Sequence, residues 1–331
     1  MIKIHDFAMH HVNKAQELAL MNYNEERAFV PSLPPLDKLP GLEYYTKHNL
    51  NVAATDGDQL LGFMCCHEPW DDLFGLCKGT CSDVHAHGAV KQNRAYIYDR
   101  LYQAAAEKWV AADVFSHCVI LYEHDLETND IFFKNGFGRR CVDAMRETTP
   151  ITVSAYEGVT FRQAINDDAD FIAMAGNQTG IHLSGSPMFM PYDGDETSED
   201  AIKGLESGEY PCFIALEKNR PVAFFCIRKN GENFASDDSS VMNICGAYAL
   251  PEVRGRGISE GLLSWLMDWL REQGYARCGV DYECFNYTAR KFWGKYFTPY
   301  TNGAVRRIDE RINKNNKGSI GTKITKENQV K

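Results

Sequence analysis

The sequence predicts a mixed α/β protein made of two tandem copies of one fold. Three observations carry this prediction: alternating strand-like and helix-like segments, an internal repeat, and a glycine-rich turn between a strand and a helix in the second half. A chain of 331 residues exceeds the usual size of one hydrophobic core. We predict domains at 1–150 and 157–311, followed by a polar segment, 312–331, that we expect to be disordered.

The first copy is predicted to begin with a strand at 2–4, followed by a helix at 11–22. A hairpin of 51–54 and 59–66, a helix at 94–110 and a strand at 117–122 come next.

The second copy shows the same order. Its predicted elements are a strand at 159–162, a helix over 167–175, a hairpin of 211–216 and 221–228, a helix from 261, a strand at 278–284 and a helix from 286.

The two copies align under one constant offset, the one that places Arg94 on Arg254. The other pairs that this offset aligns are Trp109 and Trp269, Cys118 and Cys278, Tyr122 and Tyr282, Glu123 and Glu283, and Phe132 and Phe292. An offset that holds across a helix, a strand and the next helix indicates a repeat. Under this offset Gly255 and Gly257 correspond to Ala95 and Ile97. We therefore predict a degenerate first copy and one cofactor site, in the second copy.

Composition favours a cytoplasmic protein. No apolar segment is long enough to span a membrane, and the N-terminus lacks the pattern of a signal peptide. The formal charge of −10 argues against general nucleic-acid binding and is compatible with a cationic small substrate. The eleven cysteines lie in apolar runs, so we expect reduced thiols that pack as small hydrophobic groups. The oligomeric state stays open.

The turn from Pro251 to Ser259 follows an apolar run and precedes an amphipathic one. Gly255 and Gly257 lack a Cβ and reach positive φ, so the amides of the turn can converge on an anion. The helix that follows adds the positive end of its dipole. The turn therefore predicts a phosphate cradle.

The second copy resembles the GCN5-related N-acetyltransferases, the GNAT superfamily. The resemblance rests on the motif Arg/Gln-x-x-Gly-x-Gly/Ala, present as Arg254 to Ser259, and on the pattern Asn286, Ala289 and Phe292. It implies two GNAT folds in tandem, each a central mixed β-sheet flanked by helices. Two departures stand out: Ser259 replaces the usual Gly or Ala, and Trp293 stands where the family often has a catalytic Tyr.

The resemblance implies acetyl-CoA as the co-substrate. Its pantetheine arm would pair with the strand that ends at Leu250. The strand at 280–284 would splay away from that strand and so admit the thioester, and a backbone N–H near Leu250 would polarise the thioester carbonyl. The implied cofactor-binding residues are Tyr248, Ala249, Leu250, Arg254, Gly255, Arg256, Gly257, Ile258, Ser259 and Asn286.

The catalytic groups are less evident, because the strand at 241–248 carries no carboxylate. Glu283 and Tyr248 are the candidates for the base, with Asn243 as a holder of water. Tyr296 or Tyr287 is the candidate for the acid.

The predicted function is transfer of an acetyl group to a primary amine of a small molecule or peptide. The alternative is a catalytically weak sensor or scaffold that binds acyl-CoA, which Trp293 and the carboxylate-free strand would favour. An aminoacyl transferase that uses a tRNA donor is disfavoured by the acidic charge balance.

A metal site is not predicted. Cys77, Cys81, His85 and His87 have the residue types of a zinc site, but their spacing is not a common zinc pattern. Core thiols and buried imidazoles are the preferred interpretation.

Overall fold

The chain forms two units whose last strands are exchanged. The computed structural model describes residues 2–153 and 158–313, so most of the predicted tail at 312–331 lies outside the described residues. Unit 1 comprises the chain up to Phe29, Leu36–Arg140, and the chain from Thr301 onward. Unit 2 comprises Val30–Pro35 and Cys141–Tyr300.

Unit 1 contains two sheets and three α-helices among the described residues. In chain order its elements are β1 (Lys3–Asp6), α1 (Val12–Phe29), β2 (Val52–Asp56), β3 (Gln59–Met64), β4 (Gly79–Ser82), β5 (His87–Ala89), α2 (Arg94–Ala111), β6 (Ser116–Tyr122) and α3 (Leu126–Lys134). β1, β2, β3 and β5 form an antiparallel sheet, while β4 pairs in parallel with β6. The core lies between α2 and the strands, with Trp109, Leu101 and Met64 fully buried.

Unit 2 contains one continuous sheet. Its elements are β8 (Val159–Gln163), α4 (Ala169–Ser184), α5 (Ser198–Ser207), β9 (Cys212–Glu217), β10 (Arg220–Arg228), β11 (Val241–Ala249), α6 (Ile258–Glu272), β12 (Arg277–Glu283) and α7 (Tyr287–Trp293). β8 to β11 are antiparallel in chain order, and β11 and β12 are parallel.

Two apolar layers cover the two faces of the sheet in unit 2. Leu262, Leu266 and Leu270 of α6 are fully buried against one face, as their helical spacing predicts. α4 covers the other face, where Ile172 packs with Phe224. Side chains of β10, β11 and β12 therefore point either to the α6 side or to the α4 side.

The last strand of each sequence copy pairs within the other unit. β7 (Gly138–Glu147) follows the first copy, yet it pairs with β12 over seven residue pairs from Cys141 to Glu147. β13 (Thr298–Arg307) follows the second copy, yet it pairs with β6 over seven residue pairs from Thr301 to Arg307. The units therefore differ from the predicted segments 1–150 and 157–311 in the strand that completes each sheet.

The structural repeat keeps the predicted offset in some elements and differs from it by one position in others. The N-cap residues Asp125 and Asn286 each accept a hydrogen bond from the backbone of their helix, and they differ from the predicted offset by one position. The last strands, Gly138–Glu147 and Thr298–Arg307, keep the predicted offset.

One strand of unit 2 is broken in unit 1. The first half of β11 pairs with β12 and its second half pairs with β10. In unit 1 these two pairings belong to separate strands, since β4 pairs with β6 and β5 pairs with β3. Under either offset the positions that correspond to Gly255 and Gly257 lie within residues 94–97, the first turn of α2. Unit 1 thus has a helix where unit 2 has the glycine turn.

The prediction of reduced cysteines is wrong for one pair. Cys212 of β9 and Cys226 of β10 are joined by a disulfide. They are direct partners in the antiparallel register, which brings their Cβ atoms close together. The other nine cysteines, all within the described residues, are not joined in disulfides.

Helices with the length and apolar character of a membrane span are absent from the part of the chain that the structure describes.

Two buried histidines brace unit 1. His87 Nε2 donates to the Ile120 carbonyl at 2.7 Å, and its Nδ1 accepts from the Tyr98 hydroxyl at 2.8 Å. His117 Nε2 donates to the Val114 carbonyl at 3.2 Å. Burial lowers the pKa of both imidazoles to about 4, since a charged ring would lose its hydration.

We expect acid to destabilise unit 1 through these two residues. Their pKa of about 4 in the folded protein lies below the ordinary value of 6.5. Their contribution to the free energy of unfolding is therefore complete above pH 6.5 and is lost as the pH falls toward 4. Urea unfolding at pH 7 and pH 5 should show a loss of about 2 kcal/mol per histidine. This decrease in the free energy of unfolding should be smaller in His87→Gln and His117→Gln. It should be unchanged in His10→Gln, a control at an exposed histidine. An unchanged pH dependence in both buried variants would contradict the assignment.

Candidate active site

The sheet of unit 2 opens between β11 and β12. The two strands pair from Val241 and Arg277 to Ile244 and Val280, and there the pairing ends although both strands continue. A β-bulge at this point lets Cys245 interrupt the register between β10 and β11. The opening therefore begins at Cys245 and extends toward the ends of both strands.

The backbone of β11 presents alternate groups to this opening. The Leu250 N–H donates to the Val222 carbonyl at 2.9 Å, so Leu250 and, by alternation, Tyr248 direct their backbone groups to β10. Ala249 and Ala247 consequently direct theirs to the opening. The Ala249 carbonyl accepts from Arg254 Nε at 2.9 Å, which agrees with this orientation. The Leu250 N–H is thus used within the sheet, and the predicted polarising N–H near Leu250 would be one of those that face the opening.

The predicted cradle lies directly after the outer end of the opening. A short 3₁₀ turn, Pro251–Val253, leads into Gly255 and Gly257, whose φ angles are +73° and +80°. Gly257 precedes the first residue of α6, so the first N–H groups of that helix lack intrahelical acceptors. A Cβ built on Gly255 would meet no atom within 4 Å, which leaves space beside the backbone. The turn has the shape and polarity that a pyrophosphate requires.

Two arginines of the cradle are held by neighbouring groups. The guanidinium of Arg254 lies 5.4 Å from the ring centre of Tyr248, and Arg256 forms an ion pair with Glu217. Both side chains are exposed. They place positive charge beside the turn, where it complements an anion.

Asn286 organises the start of α7. Its Oδ1 accepts from the Ala289 N–H at 3.3 Å and from the Thr288 hydroxyl at 2.8 Å, which is the geometry of a helix N-cap. His182 Nε2, from the last turn of α4, lies 3.4 Å from the same oxygen. No role was predicted for His182, although its position as the one histidine of the second copy was an available signal.

Residues 182–297 match the family model described as the Acetyltransferase (GNAT) family. This segment is similar to a GNAT domain. It contains both the opening and the cradle.

Solved structures resemble the chain over most of its length. A GCN5-related N-acetyltransferase from Sphaerobacter thermophilus is 11% identical to this chain and has a TM-score of 0.53. The matched region covers 92% of this chain and 95% of the chain of that protein. A tandem GNAT protein from the clavulanic acid biosynthesis pathway is 10% identical, with coverages of 93% and 98% and a TM-score of 0.43. A putative acetyltransferase from Salmonella typhimurium with acetyl-CoA is 15% identical, with coverages of 46% and 96% and a TM-score of 0.37. No curated protein matches the chain in sequence. The predicted mixed α/β fold of the GNAT type is confirmed.

The catalytic candidates of the GNAT domain lie on different faces of the sheet. Tyr248 is half-buried on the α4 side, within the apolar layer of that face. Tyr282 packs on the α6 side, so strand alternation turns Glu283 to the α4 side. Tyr296 packs with Phe292 on the α6 side, with 5.4 Å between ring centres. The structure thus places Tyr248 and Glu283 on one face and Tyr296 on the other.

Three further residues named from the sequence lie outside these two groups. Trp293 is buried in the α6-side core, where it supports α7. Asn243 donates to the carbonyls of Lys229 and Ser236, both at 2.9 Å, so its amide holds the loop between β10 and β11. Tyr287 is exposed on α7.

Asp281 is a titratable residue of the opening that the sequence analysis missed. It directly follows Val280, the last residue of β12 that pairs with β11. Its side chain is exposed to solvent. Partial loss of hydration beside the surrounding protein atoms, and secondly the nearby Glu232, raise its pKa to about 6.

The cysteine and histidine residues with zinc-like spacing do not converge. Both ring nitrogens of His87 are used in hydrogen bonds to Tyr98 and Ile120. Within residues 2–153 and 158–313, no three His, Cys, Asp or Glu side chains form a group that could hold a metal ion.

We expect Gly257→Trp to weaken acetyl-CoA binding by roughly 10- to 100-fold. Gly257 has a positive φ that a residue with a side chain rarely adopts, so tryptophan would displace the backbone that would contact the phosphates. Gly274→Trp is the matched control, since Gly274 has a φ of +85° at the opposite end of α6 and open space around its Cβ. Calorimetry with acetyl-CoA measures both. Equal binding by the two variants would contradict the placement of the cradle.

Proposed function

We propose that the protein is an acetyl-CoA-dependent N-acetyltransferase that acts on a primary amine of a small molecule or peptide. The observation that carries this proposal is the opening between β11 and β12, which leads directly to the glycine cradle. An anionic cofactor with an extended arm fits this arrangement. The arm would lie along the backbone groups of Ala247 and Ala249 that face the opening, and the pyrophosphate would lie on the amides of residues 254–259.

The residues around the opening supply three functions. The backbone of β11 orients the arm in the manner of an added strand. Gly255, Gly257 and the first turn of α6 bind the phosphates through N–H groups. Asn286 and His182 define the edge of the opening near α7. Bound acetyl-CoA supplies an activated acetyl group, and holding it beside the amine lowers the barrier largely through orientation.

Unit 1 supports the proposal of a single cofactor site. Its equivalent of the cradle is the first turn of α2, where Arg94 is buried and pairs with Glu25 at 2.7 Å and Asp125 at 3.2 Å. The gap between β5 and β6 is bridged by the hydrogen bond from His87 to the Ile120 carbonyl. Buried side chains therefore fill the positions that phosphate and arm would take. We infer that the first copy is degenerate.

A sensor or scaffold that binds acyl-CoA is the second candidate function. It is favoured by Trp293, which cannot return a proton to a thiolate, and by the strand β11, which has no carboxylate. Thiol release separates the two functions, because a sensor binds acetyl-CoA without releasing CoA.

The proposed function is tested by binding and turnover together. Calorimetry should show one molecule of acetyl-CoA per chain, and a thiol-detecting assay with a panel of primary amines should show release of CoA that depends on the amine. Two sites per chain would contradict the assignment of unit 1. Binding without release for every amine would favour the sensor.

A further inference from the structure

Asp281 lies at the inner end of the opening, on the side that α4 covers. Val280 and Tyr282, its neighbours along β12, both pack on the α6 side, so strand alternation turns Asp281 to the opposite face. The cradle lies at the outer end of the opening, beyond Ala249. The thioester is the end of the CoA arm that is remote from the pyrophosphate. A bound thioester therefore lies deep in the opening, close to Cys245 and Asp281.

Glu283 occupies the same face of β12 but lies two residues nearer to the outer end. At about 3.3 Å per residue, its Cα is displaced by roughly 6.6 Å along the strand. Its register partner on β7 is Cys141, whereas the partner of Asp281 is Asp143. Position along the opening thus separates the two carboxylates.

The groups around Asp281 come from four neighbouring segments. Asp143 lies directly opposite on β7 and accepts from Asn233 Nδ2 at 2.8 Å. Arg228 at the end of β10 forms an ion pair with Glu232 of the following loop. Cys245 lies at the bulge of β11, and Glu283 is the next acidic residue on β12. The carboxyl groups around Asp281 outnumber the guanidinium of Arg228. These surroundings favour the binding of a cationic substrate, and they favour protonation of the Asp281 carboxylate.

We propose that Asp281 is the general base that removes a proton from the acceptor ammonium, a role that rests on the proposed acetyl transfer. The carboxylate takes one proton from the ammonium and later releases it to water. The neutral amine forms the new C–N bond with the acetyl carbonyl carbon as the C–S bond breaks. The second proton passes from that nitrogen to the departing sulfur, which gives an amide and CoA.

The central test is the pH dependence of kcat/KM with the best primary amine of the panel. Wild-type kcat/KM should rise with pH with an inflection near 6, since the ionised carboxylate is the active form. Asp281→Asn should lower kcat/KM by roughly 100- to 10,000-fold and remove that inflection. Asp281→Glu should restore part of the rate and the inflection. If Glu283→Gln removes the inflection and Asp281→Asn keeps it, the proposal is overturned.

Two further measurements separate this proposal from the proposed function and from a structural role. Asp281→Asn should bind acetyl-CoA as wild type does, because residue 281 lies away from the cradle. Its melting temperature at pH 7.5 should be equal or higher, since a carboxyl with a raised folded pKa opposes folding when ionised. A lower melting temperature together with lost acetyl-CoA binding would overturn the proposal. If wild type binds acetyl-CoA but releases no thiol with any amine, acetyl transfer itself fails.

Discussion

The parallel pairing of β11 and β12 is the constraint on which the candidate site depends. Four residue pairs join the strands, and the bulge at Cys245 ends the pairing while each strand remains bonded to its outer neighbour. An opening inside a sheet normally leaves unsatisfied backbone groups, and here a ligand that pairs like a strand would satisfy them. Every feature of the proposed site follows from this geometry: the exposed backbone of Ala249, the cradle at the outer end and Asp281 at the inner end.

Much of this arrangement could be predicted from the sequence. The leucine stripe of α6, the two glycines before it and the cap at Asn286 are local patterns, and local patterns depend on residues that are near in the chain. The GNAT fold follows because these patterns occur in a fixed order. The polarity of the cradle could be predicted for the same reason, since it needs only a strand, a turn and a helix start.

The parts that could not be predicted depend on non-local pairing. Asp281 matters because of where β11 leaves β12, and Glu283 was preferred only because sequence alone does not locate that point. The disulfide of Cys212 and Cys226 requires the register of β9 and β10. The helix caps at Asp125 and Asn286 depart by one position from the offset that shared residue types predict. The direction of each backbone N–H of β11 likewise depends on the pairing of β10 and β11.

The exchange of β7 and β13 has a consequence for biosynthesis. As the chain leaves the ribosome, the first copy emerges with β6 still lacking its antiparallel neighbour, because that neighbour follows the whole second copy in the chain. The sheet of unit 1 is therefore completed only after the second copy has emerged, while unit 2 already has β7 when β12 emerges. A gene cut between the copies would leave each half with the wrong terminal strand.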